Sequence, residues 1–73
     1  MQIVGMDITG TKAIYKDDFV EIKVGRAIGS TGQIKQLLDG NIFVETTTGG
    51  MVETKARFVQ FASRPAQVMT QNG

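Results

Sequence analysis

Asp17 and Asp18 form the one adjacent carboxylate pair in this chain, and paired carboxylates are the minimal apparatus for general acid–base work. Here they sit in a K-D-D turn with no basic or aromatic partner motif beside them, so their types fit turn chemistry better than catalysis. The chain has no histidine and no cysteine. That removes the commonest general base, the thiolate nucleophile and the commonest transition-metal ligands. Neither catalytic residues, a metal site nor a cofactor is expected, and the chemistry left is that of binding. Three residue sets carry it. The first is the loop from Gly25 to Gly32, where Arg26, Ala27, Ile28, Ser30 and Thr31 stand between glycines as a contact surface. An apolar Ile28 beside Arg26 suits a protein interface, where arginine is enriched; the same Ile28 also suits a loop that folds back on its own core. The second set is Lys35, Lys55, Arg57 and Arg64, which with Arg26 would make a modest basic patch facing nucleic acid or an acidic protein. The third is the apolar N-terminal segment Ile3, Val4 and Met6, which either adds to a partner's sheet edge or pairs within its own chain.

Composition narrows the classes. At 73 residues the chain is one small domain. A domain this short buries only about 60% of the surface its unfolded chain exposes, which leaves little room for a deep pocket. Its net charge of +1 is a weak basis for a pure nucleic-acid binder. No apolar run approaches the ~20 residues a membrane helix needs, and the start M-Q-I-V-G-M-D is unlike a signal peptide, so a soluble cytoplasmic protein is expected.

The elements that must position these residues are short strands. Turn signals recur at T-G-T-K, K-D-D, the glycine loop, D-G-N and T-G-G, and the stretches between them are rich in Val, Ile, Phe and Thr. Residues 1–16 read as an N-terminal extension or edge strand. Strands are predicted over Phe19 to Val24, Gln33 to Leu38, Ile42 to Thr47, Met51 to Thr54 and Phe58 to Phe61. Asp39-Gly40 fits a two-residue hairpin turn, and K-A-R a single 3-10 turn. From residue 62 the chain reads as a flexible tail to residue 73. Val20, Ile22, Val24, Ile34, Leu38, Val44, Val52 and Phe58 are the expected core. Phe43 and Phe61 sit on strands whose other faces look buried. The whole predicts an all-β fold, a five-stranded antiparallel sheet closing on itself to protect its edges.

Val20, Ile22, Gly25, Gly29, Gly32 and Ile34 have the spacing V-x-I-x-x-G-x-x-x-G-x-x-G-x-I, which resembles the KOW motif. That motif belongs to small SH3-like barrels in transcription elongation factors of the NusG type and in several ribosomal proteins. D-D-F-V-E-I-K-V, T-G-Q-I-K-Q-L-L, N-I-F-V-E-T-T and M-V-E-T-K-A-R-F-V-Q-F resemble the barrel's successive strands, over residues 17–61. Two departures stand out: Ile28 replaces a lysine common in the family, and the chain is nearly neutral. The resemblance implies a non-enzymatic transcription regulator, similar in build to small phage-encoded factors. It would dock on RNA polymerase and modulate elongation, termination (antitermination) or initiation, with RNA or DNA backbone as a further contact. An RNA- or ribosome-binding protein is the alternative. F-V-Q-F at 58–61 also faintly resembles the active-site strand of type II dihydrofolate reductases, but its distance from the glycine loop does not match theirs.

Overall fold

The structure, a computed structural model, describes residues 2–65. Strands β1 (Ile3–Met6) and β2 (Ala13–Tyr15) make a two-stranded antiparallel sheet. Strands β3 (Phe19–Ile22), β4 (Thr31–Leu38), β5 (Asn41–Thr46), β6 (Met51–Thr54) and β7 (Val59–Ser63) make a five-stranded antiparallel sheet in the order β6-β5-β4-β3-β7. A single 3-10 turn, Ala56–Phe58, joins β6 to β7. The fold is all-β, as the turn spacing predicts. The sheet is not closed, because β6 and β7 stand at its two edges and are not bonded to each other. No helix among the described residues is long and apolar enough to cross a membrane.

Local sequence explains the joints. Asp39 and Gly40 both hold positive φ, at 55° and 80°, so that Leu38 pairs directly with Asn41. This is the two-residue turn whose twist matches that of the strands it connects. At the next hairpin the Thr46 amide donates to the Gly50 carbonyl at 2.8 Å, and Gly49 supplies the positive φ of 100°. Gly32 is required by packing instead: a Cβ there would lie 2.8 Å from Thr46 Cα, inside the β4–β5 pairing.

The core is Ile14, Val20, Ile22, Ile34, Ile42, Val44, Ala56 and Val59, with Val4, Ala27, Leu37 and Val52 packed against it. Three expected core residues lie outside it. Leu38 is 51% exposed, because the β4–β5 register slips between Ile34 and Gln36. A one-residue bulge inverts which side chains face inward, so Leu37 takes the place alternation gives to Leu38. Val24 is 41% exposed because β3 ends at Ile22 and the chain leaves the sheet before alternation reaches it. Phe58 is only half-buried, since it closes the 3-10 turn and does not open β7.

The N-terminal hairpin shares the core of the larger sheet. Ile14 is fully buried in it, and Gly5 lies so close to the 3-10 turn that a Cβ would come within 2.9 Å of Ala56 Cβ. Asp7, also buried, closes the outer edge of β7: its Oδ2 accepts from the Phe61 amide at 3.3 Å, and the neighbouring Ile8 amide donates to the Val59 carbonyl at 2.8 Å. At its far end β7 runs two residues past the predicted Phe61. The expected tail therefore starts later than residue 62, and its remainder, 66–73, lies outside the described residues.

Candidate functional site

The glycine loop is pinned at its base by Ile22, whose amide donates to the Ser30 carbonyl and whose carbonyl accepts from the Gly29 amide, both at 2.8 Å. Between these anchors the chain makes two successive turns, with the Ile28 amide on the Gly25 carbonyl and the Ser30 amide on the Ala27 carbonyl. Gly25 and Gly29 carry φ of 101° and 92°, values that a side chain would strain. Such a compact, doubly turned loop offers a preformed surface.

The loop separates two hollows. On one side a cleft of about 580 Å³ runs between the loop and the outer strand β6. Val24, Ala27, Met51, Val52 and Phe58 give it apolar walls, and Arg26, Asn41, Glu53, Thr54 and Lys55 supply polar groups. Met51 is 57% exposed. Asn41 ties the polar groups together: its Nδ2 donates to Glu53 Oε2, and its Oδ1 accepts from Lys55 Nζ, both at 2.6 Å. On the other side Ile28, Gly29, Ser30 and Thr31 face the Thr46–Thr48 turn across a smaller, more polar hollow. The five loop residues picked out by the sequence therefore do not form one surface. Arg26 and Ala27 belong to the cleft, and Ile28, Ser30 and Thr31 to the second hollow. Ile28 is 64% exposed and does not fold back on the core.

The expected basic residues do not gather. Lys35 sits on β4 and pairs with Glu45 on β5 at 3.8 Å. Arg64 is committed to the fold: its Nε and Nη2 reach the two oxygens of Asp18 at 2.8 and 3.0 Å, and its guanidinium stacks 4.8 Å over the Tyr15 ring and 5.2 Å over Phe61. The side-chain bond to Asp18 holds the guanidinium above its already high range. Only Lys55 and Arg57 stay near the loop, with the Arg57 guanidinium 5.1 Å over the ring of Phe58 in the cleft wall.

Asp17 and Asp18 do separate structural work. Asp18 is 1% exposed, and besides Arg64 it accepts from the Tyr15 amide at 2.8 Å. Asp17 occupies a turn position at φ 78° and lies 3.6 Å from Lys16. Among the described residues no three metal-ligating side chains converge. Asp7 is the buried carboxylate that the sequence analysis passed over. Burial pushes its pKa up. Hydrogen bonds from the Thr9 hydroxyl and from the amides of Phe61, Thr9 and Lys12 outweigh that and hold it below the ordinary 3.8. D-I-T-G-T is an Asx-type turn signal, which is what sequence could have offered for it.

In the N-terminal segment Val4 packs on the core, while Ile3 and Met6 are exposed. β1 pairs with β2 of its own chain. Phe43 and Phe61 are both half-buried, and Lys12 lies 5.0 Å over the Phe61 ring. The cleft itself was missed because its walls come from segments some twenty-five residues apart in the chain, and no spacing motif records that meeting. No family model matches the chain, and no curated protein matches it.

Proposed function

We propose that this chain is a non-enzymatic binding module of SH3-like, KOW-type build that docks on a protein surface through its glycine loop. The strand order β6-β5-β4-β3-β7, with one 3-10 turn between β6 and β7, supports the likeness to that barrel topology. Ile28 is the observation that carries the docking reading: an isoleucine left mostly in solvent at the tip of a doubly turned, hydrogen-bonded loop. A rigid loop loses little entropy on binding, and a protruding aliphatic side chain gains by entering a partner's pocket. RNA polymerase is the partner that the KOW resemblance implies, and modulation of elongation, termination or initiation by occupying its surface is the proposed mechanism. A ribosome- or RNA-binding role has less support, because four of the eight cationic side chains are already paired with carboxylates.

The test mixes purified bacterial RNA polymerase with this protein at micromolar concentration and follows co-elution on a sizing column after nuclease treatment. The wild type is expected to travel with the polymerase, and Ile28→Asp to elute alone. Absence of association by the wild type overturns the reading.

A further inference from the structure

The cations divide unevenly over the surface. Lys16, Lys23, Lys35 and Arg64 each lie within ion-pair distance of a carboxylate. Among the described residues Lys12, Arg26, Lys55 and Arg57 do not; of these four, Arg26 and Lys55 line the cleft beside β6, and Arg57 lies against the ring of Phe58 in its wall. Among the described residues Glu53 is the one carboxylate in the lining, and it accepts from Asn41. Asn41 holds Lys55 as well, so the lining carries two cations against one carboxylate, with Arg57 beside it.

The two sheet edges are treated just as unequally. Asp7 and Ile8 cover β7 through the bonds to Phe61 and Val59. β6 has β5 on one side and no second strand among the described residues, and its four residues line the cleft. An uncovered strand edge is a template for another strand. On the inward face of β6, Val52 with Val24 and Phe58 offers apolar ground for alternate side chains of that strand.

We propose that the cleft takes an extended, acidic segment of a partner protein as a strand added to β6. Its apolar side chains would face Val24, Val52 and Phe58, and its carboxylates would face Arg26, Lys55 and Arg57. The chemistry favours a peptide over a nucleic acid: main-chain groups of β6 pair with main-chain groups, and one face of Phe58, the aromatic ring in the cleft wall, already carries Arg57. The inference rests on the protein-docking reading above and names the chemistry of the partner, at a surface different from Ile28.

A labelled peptide of about ten residues alternating valine and glutamate is the probe, long enough to span a strand the length of β6. Titrated up to about 1 mM against the full chain, it is expected to bind and to shift the amide resonances of β6, slowing their hydrogen exchange. Three comparisons carry the specificity. Valine alternating with lysine, the acidic peptide N-methylated at alternate amides, and the acidic peptide against the Arg26→Glu/Arg57→Glu variant should each bind about tenfold more weakly. Both arginines lie on the surface away from the core, and the variant's amide spectrum reports whether it is folded. Unperturbed β6 amides at the highest concentration overturn the proposal. So does equal binding of the lysine peptide, or binding of a uridine oligomer at this cleft in preference to the acidic peptide. If polymerase co-elution survives Arg26→Glu/Arg57→Glu but is lost in Ile28→Asp, the docking reading stands and this inference falls alone.

Discussion

Asp18 and Arg64 form the most consequential side-chain pair in the molecule. The carboxylate is buried and receives three hydrogen bonds, two from one guanidinium that is itself stacked on Tyr15 and Phe61. Removing the arginine strands a buried charge, a far larger penalty than the loss of a surface pair. Arg64→Ala is therefore expected to lower the thermal unfolding midpoint well beyond Lys35→Ala, which breaks only an exposed contact at 3.8 Å. Arg64→Lys should restore little, since an ammonium cannot bind both oxygens in the same planar fork. Equal midpoints for Arg64→Ala and Lys35→Ala would show the pair to be dispensable. Asp7 gives a second prediction. Its folded pKa lies below 3.8, so the ionised form contributes stability that is fully present above that value and is lost as pH falls through the folded pKa. The stability gap between wild type and Asp7→Asn, measured by urea unfolding, should be widest near pH 7 and should narrow in strong acid. A gap independent of pH would mean that the charge on Asp7 does not contribute. The pairing of Asp18 with Arg64 was not legible from sequence. Asp18 read as half of a turn pair and Arg64 as a patch residue, because the contact between them spans 46 positions.

At the scale of elements, glycine roles that look alike in sequence separate by cause. Gly40 has open space where a Cβ would go, but φ is 80°. Gly32 has ordinary φ, but backbone lies where a Cβ would go. Gly40→Ala should cost about 1–2 kcal/mol, the strain of a left-handed alanine. Gly32→Ala should cost about 2–3 kcal/mol, because β4 and β5 must move apart to admit it. Urea midpoints at pH 7 rank the two, and a Gly32→Ala that is the milder of the pair would overturn the packing argument. The strands themselves were largely readable, since period-two alternation and turn residues are local signals. Asp39-Gly40, Gly49 and the K-A-R turn all fall where their chemistry predicts. Local signals fail where registry is set by a neighbour. The bulge near Lys35 exchanges Leu37 for Leu38, and Ile14, in a three-residue strand, is buried only because the hairpin folds against Val59 and Ala56. The glycine loop was visible as a surface, but its division into two hollows depends on where β6 and the Thr46–Thr48 turn arrive.

For the whole molecule the distribution of charge decides between partner classes more sharply than the net charge does. Eight cations and seven carboxylates leave +1, yet the four ion pairs spread over the molecule hold half of the cations against acids. Among the described residues Arg26, Lys55 and Arg57, in or beside the cleft, stand outside these ion pairs. If RNA were the ligand, about three phosphates could be neutralised there. The logarithm of the affinity for a single-stranded RNA would then fall against the logarithm of salt with a slope of about −2, from three contacts at ~0.7 each. So shallow a slope means weak binding at physiological salt and little competition with a protein partner. The measurement is fluorescence anisotropy of a labelled uridine oligomer between low and physiological salt. Arg26→Glu/Arg57→Glu should abolish what binding there is, and Lys35→Glu should leave it unchanged, because Lys35 faces Glu45 on another part of the sheet. A slope steeper than about −5 would require cations beyond this cluster to leave their carboxylates for phosphate, and it would move the molecule from the protein-docking class to the RNA-binding class.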